Sequence, residues 1–540
     1  MRSKVKRFAA IVALPAAAIL SGLSLVTLGL PSRTVSVMVA QAPKEGSAST
    51  LALPKTWDDG AMATLEVPLA DPIGSPKHVS ADYYYQIPVR PIYKSYPIYA
   101  PGHEPPGYMD WLKQQEPVTV WDDAGHRPPV QTEADWIKAG EIVFDAPLFY
   151  GDRPVLRGVD VRDPAWYQKT RTPATRDGTM PFARWIVRKK GEVELGKFAC
   201  GMCHTRVMPG GSVVKGAQGN FPVSHSIGYR IRADFATAKD PKQLELFGRA
   251  SERRLYAVPW LQPDPLASME EAMSINEIAS AHEAIPPGVL ERHNSSPFYP
   301  PQVPDLIGVR DRHYLDRTGL MQHRSIADLM RYAALNQGAD LLASYNGFIP
   351  AGFPNFKELP PPNDPKVGGR YSDEQLYALA LYVYSLQPPP NPNKFDALAG
   401  HGQRVFAREG CAVCHTPPLY TNNKLTLAEG FTPPPGAEQK YDMLPISVGT
   451  DPDLALKTRR GTGYYKVPSL KGVWYRSMFG HSGWCATLED WFDPGRTRDD
   501  YVPTGFKPYG AKTYRVKGHP FGLDLSEEDR KALIAFLKTL

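Results

Sequence analysis

The stretch GKFACGMCHT, from Gly196 to Thr205, has two cysteines separated by two residues and a histidine directly after the second. The same pattern returns in REGCAVCHTP, from Arg408 to Pro417. A Cys-x-x-Cys-His run is the attachment signal of a c-type haem, whose cysteines form thioethers while the histidine becomes an axial iron ligand. Two runs therefore predict two covalent haems. The predicted residues are Cys200, Cys203 and His204 for the first haem, and Cys411, Cys414 and His415 for the second.

Two other uses of paired cysteines fit these motifs less well. A thioredoxin-like redox pair belongs beside a βαβ unit, which neither copy has. A zinc site made from two Cys-x-x-Cys pairs is conceivable, but it does not require a histidine immediately after each pair. The odd cysteine, Cys485, is predicted to fill a small buried site, because a free cysteine behaves as a small hydrophobic residue.

The composition bounds the class of protein. A chain of 540 residues is too long to form a single hydrophobic core, so two or three domains are predicted. The net charge of +6 is small for this length and no long basic run is present, so nucleic acid is not an expected partner. The chain has 55 prolines, which predict long irregular loops around the core.

The N-terminus has the character of an export signal. Residues 8–30 are apolar and follow a short basic segment. The same stretch is long enough to span a bilayer, so cleavage and retention as a membrane anchor both stay open. We therefore expect the protein in the periplasm, either soluble after cleavage or anchored by residues 8–30.

The surroundings of the two motifs repeat. Gly402 and Phe406 stand four apart on a helix that leads into the second motif, and Gly140 and Phe144 stand four apart in AGEIVF, far upstream of the first. A Val-Pro-x-Leu-x-Gly-Val segment then follows each motif, at residues 303–309 and 467–473. Each half closes with a helix that has a serine N-cap, Ser372 or Ser526; in the first, Gln375 completes a capping box.

This repeat predicts a mainly α fold with two cytochrome-c-like helical haem domains, long irregular loops and an N-terminal extension. The predicted divisions are a signal peptide or anchor at 1–42, a Pro/Tyr-rich extension at 43–131, a first haem domain at 132–392 and a second at 393–540. The extension is expected to be an arm packed on the haem domains, with a partner-docking surface as the alternative.

The second half resembles the bacterial di-haem cytochrome c peroxidase family, which includes MauG-like enzymes. The stretch YKVPSLKGVWYRSMFGHSGWCATLEDWFDP carries the likeness, and His481 falls on the family's histidine near the second haem. The likeness covers roughly residues 190–540, and the first half is more diverged. The resemblance implies a C-terminal haem where electrons enter and an N-terminal haem where peroxide reacts. It also implies a small cytochrome c or cupredoxin as donor, and a calcium ion between the domains that no acidic loop supports.

The axial ligands depart from the family. Gly495 stands where the family's distal methionine would lie, so we favour His519 as distal ligand of the second haem, with Met478 as the alternative. His-His ligation would lower the haem potential relative to His-Met. For the first haem, either His225 is the sixth ligand or the iron position is open.

The family's bridging tryptophan is replaced by Gln322-His323, and Tyr314, Trp474 or Trp484 could carry the electron instead.

The helix that follows also lacks the family's glutamate, for which Asp328, Asn336 and Gln337 are the available substitutes. Peroxide chemistry requires a distal group that moves protons. The leading hypothesis is a peroxidase-family oxidoreductase. The alternatives are a pure periplasmic electron carrier and an O2-dependent oxygenase, as in the similar di-haem rubber oxygenases.

Overall fold

A computed structural model of the protein describes residues 53–152, 155–292 and 294–540. The predicted export signal or anchor at 1–42 lies outside these ranges. From Leu53 to Leu540 the chain forms one compact unit. Within the described ranges, no helix combines the length and the apolar character that crossing a bilayer requires.

Helices occur along the whole described chain. They are α1 (Asp59–Ala63), α2 (Ala81–Gln86), α3 (Tyr108–Lys113), α4 (Glu133–Asp145), α5 (Pro164–Thr170), α6 (Cys200–Cys203), α7 (Val223–Ala236), α8 (Pro241–Tyr256), α9 (Ala267–Glu271), α10 (Ile275–Glu283), α11 (Ile326–Asn336), α12 (Asp373–Ser385), α13 (Ala397–Arg408), α14 (Ala437–Lys440), α15 (Asp453–Leu456), α16 (Leu488–Trp491) and α17 (Glu527–Lys538).

Strands are spread over both halves. They are β1 (Ile92–Tyr93), β2 (Ser95–Tyr99), β3 (Thr119–Trp121), β4 (Phe149–Tyr150), β5 (Thr179–Lys189), β6 (Glu192–Lys197), β7 (Thr205–Val207), β8 (Val213–Lys215), β9 (Tyr314–Leu315), β10 (Met321–Gln322), β11 (Leu425–Leu427), β12 (Met443–Ser447) and β13 (Tyr464–Lys466).

The strands form several sheets. An antiparallel sheet has the order β2-β5-β6-β4, and a smaller sheet has β11 between a parallel β12 and an antiparallel β13. The pairs β1-β3, β9-β10 and β7-β8 complete the set.

The expectation of a mainly α fold is wrong. Helices account for 35% of the structure and strands for 13%, so the protein is mixed α and β. Long irregular loops were expected here. Instead, the proline-rich extension and the long insertion between α4 and the first motif supply the largest sheet. Its β5 reads TMPFARWIVRK, rich in the β-branched and aromatic residues that favour strands. It pairs with β2 of the extension, with Tyr96 opposite Trp185.

The repeated glycine–phenylalanine helices have a structural counterpart in both halves. Helix α4 crosses α12 at Gly140, where an added Cβ would lie 2.0 Å from the carbonyl oxygen of Ala378. Helix α13 crosses α17 at Gly402, where the corresponding distance to the carbonyl oxygen of Ala532 is 1.9 Å. Only glycine allows such a close approach of two helix backbones.

A pair of aromatic rings lies one helical turn further along each crossing. The rings of Phe144 and Tyr382 have centroids 5.3 Å apart, and those of Phe406 and Phe536 are 5.4 Å apart. The predicted capping box of α12 is confirmed, because Gln375 N donates to Ser372 Oγ and Ser372 N donates to Gln375 Oε1. The predicted boundaries 132–392 and 393–540 stay predictions.

The N-terminal extension packs into the core of the first half. The Trp57 ring stacks on Tyr84 with centroids 4.3 Å apart and donates from Nε1 to the Val79 carbonyl at 2.9 Å. The backbone N–H of Thr56 donates to Asp373 at the start of α12. Trp57 also belongs to the same buried cluster as α4 and α12 residues. The extension is therefore part of this core.

Candidate functional site

Each Cys-x-x-Cys-His motif forms one tight helical turn. In the first motif, α6, the backbone N–H of His204 donates to the carbonyl of Cys200 at 3.0 Å. In the second, the N–H of His415 donates to the carbonyl of Cys411 at 2.8 Å. This turn brings the two cysteines and the histidine of each motif into one hydrogen-bonded turn.

The two motif histidines are oriented in the same way. The Nδ1 atom of His204 donates to the carbonyl of Pro304 at 3.1 Å, and that of His415 donates to the carbonyl of Pro468 at 3.1 Å. A carbonyl only accepts, so the ring proton is on Nδ1 and the lone pair is on Nε2. Both prolines belong to the repeated Val-Pro-x-Leu-x-Gly-Val segments. The sequence repeat therefore marks the residues that orient the two predicted iron ligands.

The electrostatic surroundings keep these imidazoles neutral. Burial, together with the positive charge of Arg292, lowers the pKa of His204 to about 4. Burial also lowers the pKa of His415. A metal ligand must be unprotonated, so both rings are ready to bind a metal at neutral pH.

His519 faces His415. The two ring centroids are 6.4 Å apart, and the ring planes are inclined by 56°. One metal ion could bond to both imidazoles across this gap, since a metal–imidazole bond is about 2 Å long. The Nδ1 atom of His519 is buried without a hydrogen-bond partner in the described ranges. Burial, then the neighbouring His415 and Arg496, lowers the pKa of His519 to about 3. This pair fits the two axial positions of a haem.

Arg496 holds the loop that carries His519. This buried guanidinium donates to the carbonyls of Val516 at 2.8 Å, Gly518 at 3.0 Å and His519 at 2.9 Å. It also lies over the Trp491 ring, 4.5 Å from the centroid. Arg496 directly follows Gly495, the position where the resembling family has its methionine. No sequence motif predicted that Arg496 would hold this loop.

Met478, the alternative ligand, has different surroundings. Its side chain packs in a cluster with Val289 and Trp484. It also lies against Gly288 of the first half. The structure thus brings His519, rather than Met478, opposite His415.

The first motif has no comparable imidazole pair within the described ranges. His225 lies on α7, half-buried, and its Nδ1 donates to the carbonyl of Thr170 at 3.1 Å. Burial lowers its pKa. Both predicted alternatives for the first iron, His225 as sixth ligand or an open position, stay predictions.

Polar groups surround the first motif instead. The Gln337 side chain lies next to Cys200, and the charge of Arg292 acts on both Cys203 and His204. Arg292 donates to the carbonyl of Asn336 at 3.1 Å. Asn336 and Gln337 therefore lie near the first motif, as two of the substitutes for the family's glutamate.

Further buried groups extend this polar region. The carboxylate of Asp316 accepts from the Tyr332 hydroxyl and from Arg460. By contrast Asp328, the third substitute, is held in ion pairs with Arg324 at 2.9 Å and Arg331 at 2.9 Å. Arg292, Asp316, Tyr332 and Arg460 were missed from the sequence, because they come from distant segments without a motif.

The aromatic residues suggested for electron transfer lie in different places. Trp474 packs with Ile307 and Leu386 of the first half, and its ring centroid lies 5.2 Å from that of Tyr475. Tyr314 lines a pocket between the two motifs. Trp484 lies against His481, with ring centroids 4.4 Å apart.

His481, His323 and Cys485 are each engaged in local packing. The ring nitrogens of His481 contact Ser482 Oγ at 3.1 Å and the Asp451 carbonyl at 2.9 Å. Those of His323, beside Gln322, contact the Arg312 carbonyl and the Tyr384 hydroxyl, both at 2.7 Å. The prediction of a buried Cys485 is confirmed, and burial raises its pKa to about 12.

Calcium finds no support in the described ranges. They contain no group of three or more histidine, cysteine, aspartate or glutamate side chains that could hold a metal ion. A haem iron needs fewer protein ligands, since the porphyrin supplies the other four. The paired thiols, the oriented histidines and the orphaned His519 nitrogen fit a haem at the second motif. The thiols and His204 fit one at the first.

Comparison with known proteins adds little. No protein-family model and no curated protein matches the chain. Hydrazine synthase of Kuenenia stuttgartiensis, pressurised with xenon, matches with a TM-score of 0.27 and 15% identity over 58% of this chain and 92% of its own. A MauG-like protein associated with microbial copper homeostasis matches with a TM-score of 0.20 and 19% identity over 36% of this chain and 60% of its own. Scores this low do not establish a shared fold.

Proposed function

We propose that the protein is a di-haem c-type oxidoreductase in which electrons enter at the second motif and chemistry occurs at the first. One observation carries the proposal. Both motifs repeat the same turn and the same histidine–proline hydrogen bond, but only His415 faces a second imidazole in the described ranges. A haem held between two histidines would suit electron transfer, whereas the polar groups beside the first motif would suit chemistry.

When bound, the two haems would supply one-electron redox chemistry at iron. The residues of this chain would hold the two haems and provide the route between them. Cys200, Cys203 and His204 would hold the first group, and Cys411 and Cys414 would hold the second between His415 and His519. Trp474 and Tyr475 lie where the two halves pack together and would offer an aromatic route between the groups.

The substrate that best suits the polar region beside the first motif is hydrogen peroxide. Its reduction breaks the O–O bond and consumes two electrons and two protons to give two water molecules. A small periplasmic redox protein, a cytochrome c or a cupredoxin, would supply the electrons singly. Gln337, Arg292 and the Tyr332–Asp316 pair provide polar and proton-carrying groups near the first motif, which peroxide chemistry needs.

The test begins with the ferric protein produced with c-type maturation. Alkaline pyridine spectra should give two covalent haems per chain. Low-temperature EPR should show one low-spin signal and one high-spin signal, and peroxide should remove the high-spin signal. His519→Ala should convert the low-spin signal to high spin, whereas His225→Ala, the matched control on α7, should leave it unchanged.

Turnover separates the alternatives. We expect peroxide-dependent oxidation of a reduced small cytochrome. Two low-spin signals without peroxide turnover, even after partial reduction, would identify an electron carrier. Oxygen uptake with an apolar substrate, without peroxide turnover, would identify an oxygenase. A protein without covalent haem would overturn the proposal as a whole.

A further inference from the structure

A small pocket is lined by residues of both Val-Pro-x-Leu-x-Gly-Val segments. It is lined by Pro304 and Pro468, the two prolines whose carbonyls orient His204 and His415. Its walls come from both halves of the chain. A ligand in this pocket would therefore lie next to the two residues that orient the motif histidines.

The charged groups of the pocket are strongly unbalanced. Four cationic side chains line it, and Asp305 is the one carboxylate among the lining residues. Asp305 is already engaged, because it accepts from Arg476 Nε at 3.0 Å and from the Tyr475 hydroxyl at 2.8 Å. The four cations are Arg312, Arg317, Lys466 and Arg476.

The hydrogen bonds of three of these cations go to neutral backbone carbonyls. Arg317 Nε donates to Gln302 at 3.2 Å, Lys466 Nζ donates to Tyr314 at 3.3 Å, and Arg312 donates to Asp305 and Ile307. A carbonyl satisfies a donor but does not neutralise a charge. Of the other nearby carboxylates, Asp316 is held by Arg460 and Tyr332, and Asp311 is exposed to solvent. The pocket therefore keeps an excess of positive charge.

Burial and the mutual repulsion of the cations lower the pKa values of Arg317 and Lys466. Burial, then the charges of Arg476 and Arg312, lowers the pKa of Arg317 to about 9. Burial, then Arg312 and Arg317, lowers the pKa of Lys466 well below its ordinary value. An anion between these side chains would remove this repulsion.

The expected calcium ion does not fit here. Calcium takes six to eight oxygen ligands, most often including several carboxylates. This pocket offers one carboxylate that is already paired, and four positive charges would repel the ion. The residues that line the pocket therefore favour an anion rather than a cation.

We propose that the pocket binds carboxylates, held between Arg312, Arg317, Lys466 and Arg476. The inference rests on the proposed function, because the pocket borders both motifs. Arginine forks match the planar carboxylate group, and charge-assisted hydrogen bonds of this kind are strong. The carboxylates come either from the propionate arms of the two haems or from a small organic acid in solution.

The pocket then couples the two irons electrostatically. A positive charge next to a haem favours the reduced, less positive iron, so removal of one cation lowers the midpoint potential. Because the pocket borders both motifs, a single substitution should lower the potential of both haems. A side chain outside the pocket should lack this double effect.

The experiment is a spectroelectrochemical titration of the two-haem protein. The variants are Lys466→Gln and Arg317→Gln, and the matched control is Lys471→Gln, an exposed lysine outside the pocket lining. Each protein is titrated with and without malonate. We expect both midpoint potentials to fall in the two pocket variants and to stay at the wild-type values in the control. Lys466→Arg, which keeps the charge, should restore them and separates a charge effect from a folding defect.

The malonate arm distinguishes the two sources. If the wild-type midpoint potentials do not depend on malonate but fall in the pocket variants, the bound carboxylates are the haem propionates. Wild-type potentials that change with malonate until saturation, and no longer change in Lys466→Gln, identify a free carboxylate. The inference is overturned when both pocket variants match Lys471→Gln and malonate has no effect. Absence of covalent haem in pyridine spectra would instead contradict the proposed function.

Discussion

Backbone carbonyls determine the tautomer of each motif histidine: Pro304 accepts from His204, and both Pro468 and Tyr420 accept from His415. Because Pro304 and Pro468 accept from Nδ1, each ring presents Nε2 on the opposite side. In the second half His519 lies next to His415, and Arg496 fixes the loop that carries it. The proposed ligation of the second haem can therefore be tested at one side chain, His519.

His519→Met should raise the midpoint potential of the second haem, because a thioether ligand favours ferrous iron relative to a second imidazole. The potential of the first haem should not change. The measurement is a spectroelectrochemical titration, with His225→Met as the control that leaves the second haem unchanged. An unaltered second potential in His519→Met would show that His519 is not an iron ligand.

His282 on α10 lies between two buried carboxylates. Its Nδ1 contacts Glu291 at 2.8 Å, and its Nε2 contacts Glu252 at 3.3 Å. Burial acts to lower the pKa of His282, but the two carboxylates outweigh it and raise the pKa to about 10. The protonated ring therefore stabilises the folded state below its ordinary pKa of 6.5, and this stabilisation is lost as the pH rises towards 10.

His282→Gln should lower the free energy of unfolding at pH 6 by about 3–5 kcal/mol, the usual cost of removing one partner from a buried ion pair. The difference from wild type should shrink between pH 7 and pH 10. Urea denaturation at several pH values measures it. His126→Gln, at an exposed pair with Asp122, should cost at most about 1 kcal/mol. A difference for His282→Gln that does not depend on pH would contradict the charged state.

At the scale of the element, the two glycine crossings are equivalent parts of the two halves. Helices α4 and α12, like α13 and α17, approach so closely that a single methyl group has no space at the crossing. The position four residues later holds an aromatic ring in each case. The crossing, rather than helix propensity, therefore decides which residue is allowed at these positions.

Gly402→Ala should destabilise the protein by about 1–3 kcal/mol, the usual cost of overpacking a core. Gly400→Ala lies in the same helix and is the matched control, because its added Cβ would meet only Phe395 at 3.8 Å. There alanine should be neutral or stabilise the helix by up to about 1 kcal/mol. Urea denaturation of the two variants compares them. Equal effects would show that α13 and α17 do not cross at Gly402.

The helical elements were predictable where local chemistry defines them. The capping box at Ser372, the Gly–Phe spacing and the Val-Pro segments are all short-range patterns that survive in the structure. The four-stranded sheet was not predictable, because β2 and β5 are brought together from distant segments. Arg292 and Arg460 near the first motif were missed for the same reason.

At the scale of the whole molecule, the N-terminal extension completes the first half. Trp57 is 1% exposed and packs in one cluster with residues of α4 and α12. The sequence predicted an arm packed on the haem domains, but proline and tyrosine patterns do not reveal which of its residues are buried. The long-range hydrogen bond from Thr56 to Asp373 fixes the extension on the helix that closes this half.

Trp57→Ala should cost about 3–5 kcal/mol of stability, because the cavity left by a buried tryptophan cannot collapse completely. Trp111→Ala is the control, since Trp111 is 46% exposed and should cost far less. Thermal and urea unfolding measure both. Equal losses would show that the extension is not part of the core.

The glycine crossings also bear on the order in which the chain can fold. Gly140 and Ala378 are almost twice as far apart along the chain as Gly402 and Ala532. Doubling a loop adds only about 0.6 kcal/mol of closure entropy, so the long insertion in the first half has little thermodynamic effect. Its kinetic effect is larger, because contacts between distant segments form slowly. The first cysteine pair precedes α12 along the chain, so its thiols are synthesised before the contact that closes the first half can form.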